Sequence, residues 1–214
     1  MNFENAKKGI GKIFKAEIIA IIAAFIAIVS GIVLIVLAIA AENGAQVNTA
    51  DVVSVISLIV AAILGVIAFF LNLVGIISAS KDDESFKNAL IMLIFGIVAS
   101  IISSILQAKS PSLAKAFSTA NDISELFVTY YVISGCVSLA LKKGNQEVAD
   151  KGKKAINLIF IVWSLAIIVG AFGTIFTKKA GAVVAGLLGL VTIVLSIIAY
   201  IIYLGVLKKT SDIL

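Results

Sequence analysis

The side chains best suited to chemistry lie close together in residues 121–143, NDISELFVTYYVISGCVSLALKK. This is one of six hydrophobic stretches, and it is the one rich in polar side chains. At 100° per residue, a helix sorts its polar groups into two stripes. The first stripe contains Ser124, Tyr131, Ser134, Gly135 and Ser138, and the second contains Glu125, Thr129 and Cys136. Because lipid cannot satisfy hydroxyl groups, we expect this helix inside a helix bundle.

Two interpretations of the polar stripes remain open. In the first, they form interhelical hydrogen bonds and allow close packing of small residues. In the second, one stripe lines a cavity or a pathway, with Glu125, Thr129, Tyr131, Ser134 and Ser138 as wall residues. Glu125 is the one acid predicted inside a span, where an ionisable group indicates function. The alternative for Glu125 is an interfacial carboxylate that water reaches from outside.

The residue types exclude several reactions. The chain has no histidine and no arginine, and Cys136 is its single cysteine. Ser-His proteolysis, His-ligated haem or zinc, and a CxxC site are therefore excluded. No two acids share a face at membrane depth, and the acids of Asp82–Glu84 are predicted to be a solvated helix start. We therefore expect no enzyme and no catalytic, cofactor-binding or metal-binding residues.

The composition predicts that the elements positioning these residues are membrane helices. The 214 residues are 61% hydrophobic, and the mean hydropathy is +1.18. We predict an all-α integral membrane protein with a single six-helix transmembrane domain over residues 18–207, followed by a tail over 208–214. Each span is long enough to cross about 30 Å of hydrocarbon. The predicted spans are about 18–41, 52–79, 86–107, 123–141, 155–176 and 182–207.

The lysines predict the topology. Thirteen of the 17 lysines would lie on the side that holds both termini, and Lys109, Lys115, Lys178 and Lys179 would lie on the other. By the positive-inside rule, both termini are predicted in the cytoplasm of a multi-pass protein of the plasma (inner) membrane. The basic segment 1–17 is amphipathic, so it is predicted either to lie on anionic lipid or simply to flank the first span. The lysines flank spans, so we expect no nucleic-acid partner.

A repeated pattern ends the even-numbered spans. An aromatic residue precedes a glycine by five positions, and lysines follow soon after. The pairs are Phe70 with Gly75, Tyr130 with Gly135, and Tyr200 with Gly205. The pattern predicts three αα-hairpin repeats that are inserted the same way. All-lysine usage is typical of an AT-rich genome, and the chain has the general character of a small bacterial membrane protein.

Small residues recur at helical spacing in the last span. Gly181, Ala185 and Gly189 are four residues apart, so another backbone could approach that face closely. The neighbour is predicted within the bundle, with a homo-oligomer or a membrane-protein partner as the alternative.

Two functions follow from this reading. The first is a small transporter or channel-type protein for an unknown solute or ion, with the fourth helix lining the route and no cofactor. The second is a non-transporting membrane module that interacts with lipid, binds a partner or confers immunity. A wet cavity against the fourth helix favours transport, whereas a closed core favours the module.

Overall fold

The structure is a computed structural model that describes residues 3–42, 49–175 and 179–214. Over these residues the chain is all-α, with six helices long and apolar enough to span a membrane. They are α1 (Glu4–Glu42), α2 (Thr49–Ala79), α3 (Glu84–Leu106), α4 (Pro111–Lys142), α5 (Gln146–Ile175) and α6 (Lys179–Ile213). The prediction of six apolar helices is confirmed. The predicted repeat and the cytoplasmic placement of the termini stay predictions.

The contacts divide the chain into two compact units, each described here by itself. One unit comprises Met1–Ile10 with Ile76–Leu214, and the other comprises Gly11–Gly75. In the first unit, α4 packs against α3, α5 and α6. In the second, α1 and α2 bury alanines such as Ala16 and Ala68, while large side chains such as Phe25 are exposed. Exposed apolar side chains of this kind are what lipid-facing helix surfaces require.

Helix α4 is the most enclosed of the described helices. Of its most apolar stretch, 44% of the residues are buried, against 11–22% for the corresponding stretches of the other helices. Ile133, Cys136 and Leu139 have no exposed surface. The expectation that the polar helix lies inside a bundle therefore agrees with its burial among α3, α5 and α6.

A three-residue connection, Lys143–Asn145, joins α4 to α5. Gly144 has φ 72°, the left-handed conformation that ends a helix, and glycine adopts it without a steric penalty. The amide of Asn145 donates to the carbonyl of Ala140 at 2.9 Å. The side-chain oxygen of Asn145 then accepts from the amide of Val148 at 3.1 Å, which caps the start of α5. The sequence Gly-Asn therefore ends one helix and begins the next.

Three glycines admit a neighbouring side chain where α4 meets α3 and α5. A Cβ on Gly135 would overlap the ring of Phe86, which is fully buried, and a Cβ on Gly152 would overlap Val137. A Cβ on Gly96 would lie 3.1 Å from the side-chain oxygens of both Asn121 and Ser124. These close approaches depend on the absence of a side chain, as in other membrane helix pairs.

We expect Gly135→Ala to destabilise the protein by about 1–3 kcal/mol, the usual cost of overpacking a tight core. The matched control is Gly205→Ala, because Gly205 ends the same aromatic-to-glycine pattern but has no atom within 4 Å of its Cβ position. That control should be neutral or stabilising, since alanine favours a helix over glycine by up to about 1 kcal/mol. Unfolding in detergent, followed by Trp163 fluorescence, measures both. Equal effects of the two substitutions would contradict the packing described.

Candidate functional site

The polar side chains of α4 are the candidate site, and Ser124 is the buried member nearest the start of the helix. Its hydroxyl donates to the carbonyl of Met92 on α3, and the residue is only 1% exposed. The close approach at Gly96 brings the α3 backbone within reach of this hydroxyl. Ser124 therefore satisfies its hydrogen bond inside the protein and joins α3 to α4.

Ser138 and Lys142 meet a buried carboxylate at the other end of α4. Asp83 accepts from the hydroxyl of Ser138 and from the ammonium group of Lys142, each at 2.7 Å through Oδ2. Its Oδ1 accepts from the amide of Ser85 at 3.0 Å, so Asp83 also caps α3. The side chain of Asp83 is 4% exposed, against 41% for Lys142. One carboxylate therefore links the start of α3 to the end of α4.

The neighbouring Asp82 holds the start of α1. It accepts from the amide of Ala6 at 2.7 Å and from the side chain of Asn5 at 3.1 Å. A carboxylate at a helix N-terminus satisfies unpaired amides and complements the helix dipole. We call Asp82 and Asp83, together with Asn5, Ser138 and Lys142, the aspartate clasp.

The clasp corrects the expectation of a solvated helix start over Asp82–Glu84. Asp83 does begin a helix, but it is buried and bound to α4. The sequence signal available was Ser138 with Lys142, one helical turn apart on one face of α4. Their partner, 55 residues away from Ser138, could not be identified from local spacing.

The N-terminal segment is also held by protein contacts. Phe3 is 6% exposed, and Ile10 is fully buried. The ammonium groups of Lys142 and Lys143 lie 5.9 and 5.6 Å from the centre of the Phe3 ring, within the range of a cation–π interaction. Phe3 and Ile10 therefore pack on protein, and contact of the segment 1–17 with lipid stays a prediction.

The remaining predicted wall residues do not converge on one space. Glu125 is exposed and accepts from the side chain of Asn121 at 3.0 Å. Thr129 donates back to the carbonyl of Glu125 at 3.1 Å, within its own helix. Tyr131 packs against Tyr130, with ring centres 5.1 Å apart, and Ser134 is half-buried. Exposure of Glu125 fits the alternative of an interfacial carboxylate.

Gly181, Ala185 and Gly189 of α6 are predicted to pack closely against another helix. The side-chain surroundings of Gly181 and Ala185 lie outside the described residues. Gly189 is described, and no atom lies within 4 Å of its Cβ position. The packing role of these residues stays a prediction. Close neighbours are found instead at Gly96, Gly135 and Gly152.

The charges of the clasp lower the pKa of Asp83. Burial acts to raise it, but the ammonium group of Lys142, the hydroxyl of Ser138 and the amide of Ser85 outweigh burial and hold the pKa below its ordinary value. Asp83 is therefore a structural anion and a poor proton donor at neutral pH. Among the described residues, no three carboxylate or cysteine side chains come together to hold a metal ion.

A cavity of about 190 Å³ lies between α1 and α2. Its polar lining consists of Glu17 and Asn72, and Phe69 supplies an aromatic ring. The amide oxygen of Asn72 is buried without a hydrogen-bond donor. The sequence marks Asn72 as a polar residue within a span, but Glu17 looks like an ordinary flanking acid. Only the structure places them together.

We expect Asp83→Asn to lower the stability by roughly 1–3 kcal/mol, the contribution of hydrogen bonds to a charged group. The pKa of Asp83 is lower in the folded protein than in the unfolded chain, where it is about 3.9. The charge of Asp83 therefore stabilises the fold fully above that unfolded value, and this contribution is lost as the pH falls through the folded pKa. Unfolding of both proteins across pH 3–7 tests this. The difference should shrink at the acidic end, and Asp122→Asn, at an exposed position of α4, should follow the parent. A difference independent of pH would contradict the role of the Asp83 charge.

Comparison with known proteins matches this chain to no protein-family model, no curated protein and no solved structure. The function is therefore inferred from three described features: the closed packing of α4, the aspartate clasp and the exposed lysines.

Proposed function

We propose that the protein is a non-transporting membrane module that holds anionic lipid at its lysine-rich end. The observation that carries this proposal is the filled interior around α4. Ile133, Cys136 and Leu139 have no exposed surface. The hydroxyls of Ser124 and Ser138 bind protein groups. A solute route along α4 would need space and polar groups that these contacts already use.

The lysines supply the second argument. Lys7, Lys15, Lys81, Lys87, Lys154 and Lys208 are exposed and have no ion-pair partner among the described residues. The positive-inside rule places this end, with both termini, in the cytoplasm. Each lysine near an anionic surface contributes about 1 kcal/mol to its attraction. The clasp joins the start of α1, the start of α3 and the end of α4 without using any of these six ammonium groups.

The closed core can be tested by thiol labelling. In a Cys136→Ala background, we expect single cysteines at Tyr131 and Ser134 to resist a membrane-impermeant thiol reagent added to either side, because no water reaches them. A cysteine at Ala108, an exposed position in the turn after α3, serves as the reactive control. Labelling at Ser134 from one side would reveal a wet route along α4. Transport, measured as ion and solute flux in liposomes, would then replace the proposal.

Lipid binding can be tested with two double variants of equal charge. Lys81→Gln with Lys208→Gln removes lysines from the proposed cytoplasmic end, and Lys109→Gln with Lys115→Gln removes two from the opposite end. We expect the first pair to weaken retention of phosphatidylglycerol in detergent by roughly tenfold or more. The control pair should have little effect, and 1 M salt should weaken retention by the parent because it screens exposed charge. Equal losses in both variants would contradict a lysine-rich binding end.

A further inference from the structure

A charged triad joins the start of α5 to the end of α6. Glu147 accepts from the ammonium groups of Lys151 and Lys209 at 2.6 and 3.0 Å, and both lysines contact the same carboxylate oxygen, Oε1. Lys151 lies one turn further along α5, whereas Lys209 belongs to α6. Two ammonium groups from different helices therefore converge on one anionic oxygen. We call Lys151 and Lys209 the lysine clamp.

Apolar packing brings together the two helix ends that carry the clamp. Val148 and Ala149 at the start of α5 belong to a buried cluster, and Ile213 near the end of α6 packs against that cluster. These contacts involve no charged side chain. We therefore expect the two lysines of the clamp to stay neighbours when Glu147 is replaced.

Glu147 occupies the clamp as a built-in anion that water reaches. Its side chain is 67% exposed, and both lysines are exposed as well. Exposed ion pairs contribute little stability, because water and salt screen them. An incoming anion can therefore displace the carboxylate. It gains from the exchange only if it carries more charge than the single charge of glutamate, since the attraction grows with charge.

We propose that the lysine clamp binds a phosphate monoester in preference to a phosphodiester. A phosphate monoester carries a charge of about −1.5 to −2 at pH 7 and has three strong acceptor oxygens. A phosphodiester such as phosphatidylglycerol carries a single charge, so it would replace Glu147 by an equal charge. Glu147 thus disfavours singly charged groups at these two lysines. The inference rests on the proposed lipid binding at the lysine-rich end and names the headgroup chemistry preferred there.

The phosphate monoester has two possible sources, the headgroup of phosphatidic acid and soluble phosphate. Lys209 follows the apolar run of α6, and Lys151 precedes that of α5. Lysines at such positions lie at the depth of lipid headgroups. The position therefore favours phosphatidic acid, and the experiment separates it from free phosphate.

The test uses the purified full-length chain in detergent and in nanodiscs. In detergent, native mass spectrometry should show that the parent retains phosphatidic acid over phosphatidylglycerol by about tenfold, the change that one hydrogen bond to a charged group gives. In nanodiscs of phosphatidylcholine alone, inorganic phosphate at constant ionic strength is added, and the unfolding temperature is measured. A preference in the first arm identifies a lipid source. A rise in unfolding temperature that needs the clamp, without that preference, identifies soluble phosphate.

Two double variants of equal charge locate the site. Lys151→Gln with Lys209→Gln removes the clamp and should abolish the preference for the monoester. Lys8→Gln with Lys153→Gln is the matched control, because each of these lysines also pairs with an acid, but within its own helix. The control should keep the parental preference. A preference that persists without the clamp would overturn the inference.

A second comparison tests the part played by the built-in carboxylate. Glu147→Gln empties the clamp without removing a lysine, so it should raise the retention of phosphatidylglycerol and narrow the preference. Glu4→Gln removes the same charge but frees only Lys8, and it should keep the parental ratio. An unchanged ratio in Glu147→Gln would contradict the selectivity assigned to Glu147.

The outcomes separate this inference from the proposed function. Equal retention of both lipids by the parent, with no response to phosphate that needs the clamp, would overturn the inference and leave the proposed function in place. Retention of neither anionic lipid would overturn the proposed function, and the phosphate arm would then decide the clamp by itself.

Discussion

The carboxylate of Asp83 is the group on which the arrangement of α3 and α4 depends. It is almost entirely buried, yet both of its oxygens have partners: the amide at the start of α3, and the hydroxyl and ammonium groups at the end of α4. A buried charge is costly when a partner is removed, and this cost makes the pairing specific. Asp82 extends the same constraint to the start of α1. Two consecutive residues thus fix three helix ends.

Much of the fold could be predicted because it depends on local properties. Apolar runs of sufficient length identify six helices, and the polar composition of the fourth helix indicates its enclosure. The spacing of glycines predicts helix packing less well, because it does not show which side chain of a neighbouring helix faces each glycine. Gly189 belongs to a regular series and faces open space, whereas Gly135 receives the ring of Phe86. Gly135 and Phe86 are 49 positions apart in the sequence. Their contact is decided by tertiary packing, which local sequence spacing does not reveal.

In the candidate site, too, the partners that lie on other helices cannot be identified from local sequence. The polar side chains of α4 are unusual in the sequence, but their positions on a helical wheel do not show which of them bind groups on other helices. Ser138 is used by a residue of a distant turn, and Thr129 bonds its own helix. Conversely, Glu17 has no unusual local context in the sequence, and the fold brings it to the same cavity as Asn72 on the facing helix. Polarity in a sequence locates the groups that need partners, and the fold assigns those partners.

The turn at Gly144 and Asn145 has a consequence for biogenesis. Helix α4 is the least hydrophobic of the six, so on its own it would enter a bilayer poorly. Its connection to α5 is too short for the two helices to separate widely, since one asparagine both completes α4 and caps α5. We therefore expect α4 to be stable in a bilayer only once α5 has packed beside it. The connection through Gly144 and Asn145 thus links the expected insertion of the polar helix to that of its neighbour.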